Sequence, residues 1–386
     1  MCRSIGFMSF GKSVGRGNAF WAWLLLGAIA FLAGCGGHSN VGSTIAPLVL
    51  RSTGSGNATA TAGGATSPAV PVTVFSLHAY VVSTADQTVS QYTIGSGGSL
   101  IPLGPAVAAG GLPYNLVVDP TGRYAYLPIG ATQSVAQYTI DSTGALTANG
   151  SVPSPHARWM AVDPTGAYAY VANLYEDTIS EYAIGSTGEL TALGTVAAGT
   201  FPAFVTVDPS GHYAYALNQG DGSVSQYAIG SAGLLTAIGP AVAAGNTPTS
   251  LAVDPSSRYA YAANINDGTV SQYAIGSTGA LTRIGPPVAT GNFPTSVAID
   301  PTGQYVYVTN QVDNTVSEFT IGSTGALTAM GPAVATGGTP SSVAVDPTGR
   351  YAYVVNAWTG DISEYTIGST GALTAFGTAA ASGPRS

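Results

Sequence analysis

His156 and Arg158 stand two residues apart in Pro155-His156-Ala157-Arg158, and Glu176 follows eighteen residues after Arg158. A histidine moves protons near neutral pH, and an arginine stabilises developing negative charge. Together with Glu176 they form a candidate acid–base group, His156 acting with Arg158 as its electrostatic partner. Aromatic and amide residues cluster around them in register: Tyr114, Asn115, Trp159, Tyr175, Phe201 and Phe204. A cleft with such walls, one His and one Arg suits an anionic, lactone or sugar-like ligand. Drift between repeats that fill a tapered channel accounts for the same residues without any ligand. Other chemistry is sparse. The histidines at 38, 78, 156 and 212 have no metal-ligand spacing, so no metal and no cofactor are expected. No Gly-x-Ser-x-Gly elbow joins a strand to a helix.

The elements that position these residues come from one phrase written seven times. Its Asp-Pro pair falls at Asp119, Asp163, Asp208, Asp254, Asp300 and Asp346, and a copy without Asp-Pro centres on Tyr80. A period in the forties built of short strands is the signature of a β-propeller, one four-stranded blade per repeat. The copy at 249–285 reads as strand, turn, strand, turn, strand, turn, strand. Asp-Pro-Thr-Gly places Asp at i, Pro at i+1 and Gly at i+3 of a type I turn, and Gly-Ser-Thr-Gly tolerates positive φ. The b–c unit recurs at Tyr80, Tyr126, Tyr170, Tyr215, Tyr261, Tyr307 and Tyr353. The expectation is an all-β chain, a seven-bladed β-propeller of four-stranded antiparallel blades. Val70 to Phe75 is expected to supply strand a of the first blade, and Leu373 to Phe376 strand d of the last.

In such a ring the d–a and b–c loops share one face. The a–b and c–d turns barely vary and read as scaffold. The d–a loops vary: Tyr114-Asn115, Arg158-Trp159 and Ala203-Phe204 are bulky or charged where the next three blades carry Thr249-Ser250, Thr295-Ser296 and Ser341-Ser342. The Asn that ends strand b (Asn173, Asn218, Asn264, Asn310, Asn356) and the turn acids Asp86, Asp221, Asp267 and Asp313 read as turn formers, not as a binding ring.

Ahead of the array, residues 1–34 read as an export signal: Arg3, Lys12 and Arg16 precede an apolar run from Phe20 to Leu32. Leu32-Ala33-Gly34-Cys35 resembles the lipobox of bacterial lipoproteins, which implies acylation of Cys35 and cleavage before it. Residues 35–69 read as the acylated Cys and a Gly/Ser/Thr/Ala-rich tether, and 70–386 as the propeller. Beyond residue 34 seven arginines face eighteen acids, a net charge of −11, with no lysine. No basic stripe exists for nucleic acid. The membrane, through the lipid on Cys35, is the expected partner of a monomer held in the cell envelope, with a small molecule or an envelope protein as the other.

Tyr307-Val308-Thr309-Asn310 spells the signature of the YVTN β-propeller repeats, with YVAN, YALN, YAAN and YVVN in the same slot. The array also resembles the seven-bladed lactonase family, which includes 6-phosphogluconolactonases and carboxymuconate cyclases. Its Pro-His-Ala-His segment, followed by a Pro-Asp-Leu-Gly loop, is similar to Pro155-His156-Ala157-Arg158. Arg158 stands at the second histidine, and Asn173 and Tyr175 replace the Asp and Gly. A later Asn-Arg pair of that family has no arginine here. With these departures, and an exported chain, the sequence favours a non-catalytic binding or surface-display module. The alternative is a lactone hydrolase using His156, Arg158 and Glu176 at the channel mouth.

Overall fold

Each Asp-Pro-Thr-Gly turn closes on its own carboxylate. Asp119 Oδ1 accepts from the backbone N–H of Arg123 and Tyr124, at 2.9 and 2.8 Å, and Oδ2 accepts from Thr121 N–H at 2.9 Å. Gly122 sits at φ 72°, where a Cβ would be strained. The bond from the tyrosine N–H five residues on recurs at Asp163, Asp208, Asp254, Asp300 and Asp346. A reversal fixed this tightly sends the chain straight back as an antiparallel strand, and repetition builds the blades.

The chain divides into two units, residues 1–41 and 42–386. The structure, a computed structural model, describes residues 49–53, 56–58, 61–62, 65–66, 70–72 and 76–380, all in the second unit. The expected signal at 1–34 and the acylated Cys35 lie outside the described residues. No helix occurs among the described residues, and none is therefore long and apolar enough to cross a membrane.

Seven antiparallel sheets follow in chain order. Blade 3 is representative: strand a is Ala157–Val162, b Tyr168–Asn173, c Thr178–Ile184 and d Leu190–Ala197. Strand d is continuous in blades 2, 3 and 7, and in the other four it breaks into two short pieces. The break follows a Gly-Pro pair, as at Gly239-Pro240 and Gly285-Pro286. Proline has no N–H for the ladder, so strand c loses its partner there. The outer edge is thereby broken up, which blunts pairing with other chains.

Blade 1 departs from expectation. Its strand a is Val49–Thr53, which pairs with Ser76–Ser83 in the register Val49↔Tyr80 to Thr53↔Ser76. Val70–Val72 pairs instead with Gly56–Ala58, in a ribbon that stands where other blades have the Asp-Pro turn. The expected tether of 35–69 therefore contains strands. Val70 to Phe75 lies at the customary distance before Tyr80, but the chain inserts a ribbon between strands a and b.

The core lies between blades. One cluster joins Phe204, Tyr215, Leu217 and Val224 of blade 4 to Leu251, Ala260, Ala262 and Tyr273 of blade 5. Two polar bonds stitch every seam. The buried strand-b tyrosine donates to a glycine carbonyl in the c–d turn of the next blade, as Tyr170 to Gly233 and Tyr215 to Gly279, both at 2.8 Å. The strand-c Gln or Glu accepts from the first strand-d N–H of the next blade, as Gln272 from Leu327 at 2.6 Å. The ring closes in the same way: Tyr353 donates to Gly98 at 2.6 Å and Glu364 accepts from Leu100 at 2.8 Å.

Candidate functional site

The d–a and b–c loops of blades 2 and 3 bring the candidate group together. His156 is the last residue before strand a of blade 3, at φ 41°. Phe201, Thr247, Phe293 and Thr339 hold the corresponding place at φ between 53° and 57°. The left-handed backbone is thus a property of the ring, not strain peculiar to His156. It turns the side chain back over the b–c loop. There Nδ1 of His156 and Oε1 of Glu176 are 2.5 Å apart, with both side chains about one-third exposed. With Nδ1–H donating to the carboxylate, Nε2 is left as the proton acceptor.

Tyr175 links this pair to its surroundings. Its ring meets His156 edge-on at 5.0 Å and Phe201 edge-on at 5.8 Å. Phe201 is anchored by its own N–H, which donates to Asp177 Oδ1 at 2.8 Å. Arg158 lies with its guanidinium 4.1 Å from the centroid of the Tyr114 ring. Burial lowers its pKa, opposed by the nearby phenols of Tyr114 and Tyr175. It remains a cation at any working pH. His156 and Arg158 therefore share Tyr175 as a neighbour.

Sequence reasoning missed what opens this mouth. Strand b of blade 2 ends Leu127-Pro128-Ile129-Gly130, where blade 3 has Val171-Ala172-Asn173-Leu174. Pro128 cannot donate to strand a, and strand a of blade 2 shrinks to Val117–Val118. Pro113 still bridges Ile129 and Tyr114 N–H still donates to Pro128 O at 3.3 Å, but Asn115 and Leu116 leave the ladder. Asn115, buried, uses its amide on the neighbouring blade instead: Nδ2 donates to Met160 O at 3.0 Å and Oδ1 accepts from Met160 N–H at 3.1 Å. The Tyr114 ring lies over Gly130, where a Cβ would approach a ring carbon to 2.6 Å. The signal was readable as a Pro in a strand together with loss of the blade's Asn.

Of the other rim residues, Trp159 and Phe204 stack with centroids 4.6 Å apart, in the apolar seams on either side of blade 4. Phe204 is buried and Asn115 is bonded to Met160 of the next blade, so both serve the seams that hold the rim. The strand-b asparagines are scaffold, as expected. Asn218 Nδ2 donates to Ser223 and Ser225 of strand c, and its Oδ1 accepts from Gly199 N–H. Asp221 and Asp267 tie the b–c turn to the d–a loop of the same blade, accepting from Thr200 and Asn246 N–H. Among the described residues no three His, Cys, Asp or Glu side chains converge as a metal site would require.

The described residues form a closed seven-bladed propeller with a His–Glu pair and a stacked arginine at its loop face. A family model described as Lactonase, 7-bladed beta-propeller, matches residues 39–187, 178–284 and 281–385, and the chain belongs to that family. Solved structures agree in fold. The periplasmic gluconolactonase PpgL of Pseudomonas aeruginosa superposes with TM-score 0.68 at 18% identity, over 77% of this chain and 93% of that one. A candidate 6-phosphogluconolactonase of Bacteroides fragilis gives 0.65 at 21% identity, over 88% and 95%. One of Bacteroides uniformis gives 0.67 at 19%, over 75% and 91%. No curated protein matches the chain. The family corrects the expectation of a non-catalytic display module. A lactonase model runs through all seven blades, and gluconolactonase-like neighbours share the fold, which favours the hydrolase alternative.

Proposed function

We propose that the protein is a lactone hydrolase whose site lies at the loop face of blades 2 to 4. The observation that carries this reading is the His156–Glu176 contact at 2.5 Å beside Arg158, in a chain of the lactonase family. Glu176 holds His156 in the tautomer whose Nε2 accepts a proton. Nε2 takes a proton from water as the water oxygen attacks the lactone carbonyl carbon. Arg158, kept in place by the Tyr114 ring, stabilises the oxyanion of the tetrahedral intermediate. When the ring C–O bond breaks, the imidazolium returns the proton to the departing oxygen, and a hydroxy acid leaves. Tyr175 and Phe201 form the wall on which the substrate ring lies.

The test is hydrolysis of D-glucono-δ-lactone by the purified protein, measured above the buffer blank. His156→Ala is expected to lower kcat by about 10²–10⁴, the range for loss of a general base. Glu176→Gln and Arg158→Ala should lower kcat with less effect on KM. Turnover that survives His156→Ala unchanged would sink the assignment. The export signal and Cys35 lead us to propose an envelope location with a lipid anchor. A Cys35→Ser chain should leave the membrane fraction, and one that remains there would refute the anchor.

A further inference from the structure

The charge around the mouth bears on which lactone enters, an inference that rests on the hydrolase reading above. Among the described residues Arg158 is the only arginine or lysine at the inner, strand-a end of the d–a and b–c loops. Arg123, Arg258 and Arg350 belong to the a–b turns on the opposite face, where each donates Nε–H to a turn hydroxyl. Arg51 takes the strand-a position that pairs with His78, also toward the a–b end. Arg283 lies on outer strand d of blade 5 and is bound to the Ala243 and Ala244 carbonyls at the outer rim. His156 adds no net positive charge, because it is paired with Glu176 in either protonation state.

Carboxylates dominate the same face. Asp86, Glu176, Asp221, Asp267 and Asp313 occupy one b–c turn position in five blades, Asp177 follows Glu176, and Asp361 lies two residues past that position in blade 7. Asp177 adjoins Glu176 and holds Phe201 N–H, and Asp221 is the next acid along the same rim. Asp221 holds Thr200 N–H at 2.9 Å, and the next residue, Phe201, packs on Tyr175. The rest of the face is apolar: Leu112, Tyr175, Phe293, Val312 and Trp358 are all exposed there, Trp358 at 74%.

A phosphate monoester carries close to two negative charges at neutral pH, and proteins that hold one converge several cations or backbone N–H donors on it. This face offers one guanidinium, already stacked on Tyr114 and committed to the oxyanion. Its summed field repels anions on approach. We infer that the substrate is a lactone without phosphate, neutral overall and presenting an apolar or sugar-ring face to the aromatic wall. The same field favours release of the product, which hydrolysis turns into a carboxylate.

The experiment compares kcat/KM for D-glucono-δ-lactone and for 6-phospho-D-glucono-δ-lactone at low salt and at about 0.3 M salt, where exposed charges are largely screened. The neutral lactone is expected to be preferred at low salt by about tenfold or more. Added salt should raise the rate with the phosphorylated lactone and leave the neutral one unchanged. Asp221→Asn keeps an acceptor oxygen for Thr200 and should favour the phosphorylated substrate selectively. Preference for the phosphorylated lactone, or a rate with it that falls as salt is added, overturns this inference while leaving the hydrolase reading intact. Turnover of neither lactone overturns the hydrolase reading and the inference with it.

Discussion

Glu318 shows how a single side chain can be read against its own repeats. It occupies the strand-c position held by Gln91, Gln137, Gln226 and Gln272, and accepts from Leu373 N–H at 2.6 Å. An amide oxygen does this job in four blades without charge. Burial raises the pKa of Glu318, opposed by the Leu373 N–H, and the same holds for Glu181 and Glu364 with Leu235 and Leu100. The folded state therefore holds these protons more tightly than the unfolded chain. The contribution is present below the ordinary carboxylate range and is lost as pH rises through the raised values. Glu318→Gln should remove that loss. Its new N–H has a receiver in Pro332 O, by analogy with Gln272 and Gln226, which donate to Pro286 O and Pro240 O at 3.0 and 2.9 Å. A gain of about 1 kcal/mol at pH 7, or roughly 1–2 °C in Tm, is expected. A lower Tm at pH 7 would show that the carboxylate is needed. His78 has the opposite sign. It is buried where Tyr124, Tyr168 and Tyr213 sit in later blades, and among the described residues neither ring nitrogen makes a hydrogen bond of good geometry. Burial lowers its pKa, partly offset by the Tyr92 backbone and Asp141. The neutral ring's contribution is complete above the ordinary histidine range and is lost as pH falls through it toward the lowered value. His78→Tyr places a hydroxyl toward Ser142 O, as Tyr124 reaches Ser186 O. It should flatten the acid limb of a Tm–pH profile, and an unchanged limb would clear His78 of that role.

Blade 2 carries the element-scale argument, because one missing N–H reshapes a strand. Pro128→Ala restores a donor opposite residues 115–116 and should draw them into the ladder, away from Met160, displacing the adjoining Tyr114 ring from beneath Arg158. Stability should hold or rise, while under the proposed mechanism kcat/KM for the neutral lactone falls about tenfold or more, the scale expected for misplacing a catalytic group. A variant with full activity would mean that Tyr114 and Arg158 keep their stacking without the proline. Much of this element was legible in the sequence. The blade number, strand faces and turn chemistry follow from periodicity and from Asp-Pro-Thr-Gly, and offsets from each Asp located Tyr114, Arg158 and Phe204. Other features were not legible, for reasons of the same physics. Strand a of blade 1 lacks the Asp-Pro that marks the others, and the ribbon of 56–72 separates it from strand b. Periodicity cannot see an insertion that adds strands of its own. The seam roles of Asn115 and Phe204 were hidden too, because they depend on how adjacent blades abut and not on offsets within one repeat.

The whole ring is held by seven equivalent seams, but chain connectivity crosses only six of them. Each d–a link joins one blade to the next, whereas blades 7 and 1 meet without a shared strand. That seam relies on the Tyr353–Gly98 and Glu364–Leu100 bonds and on packing of Ala79, Val81 and Tyr92 against Tyr353, Val355 and Ile362. Local opening should begin there, since separating these blades costs contacts without stretching any covalent link. The comparison that isolates the effect is Tyr353→Phe against Tyr215→Phe, the same change at an internal seam. Each removes one buried hydrogen bond and leaves a glycine carbonyl unpaired, costing about 1–2 kcal/mol. The two should therefore lower Tm by similar amounts. Only Tyr353→Phe should speed amide exchange at Leu100 and along strands b and c of blade 7, because the freed seam can part while the other six stay docked. Equal exchange in both variants would mean that packing, not the polar closure, governs opening. The site we propose lies on blades 2 to 4, away from this seam, so on that reading lactone turnover should be unaffected by Tyr353→Phe at temperatures well below Tm.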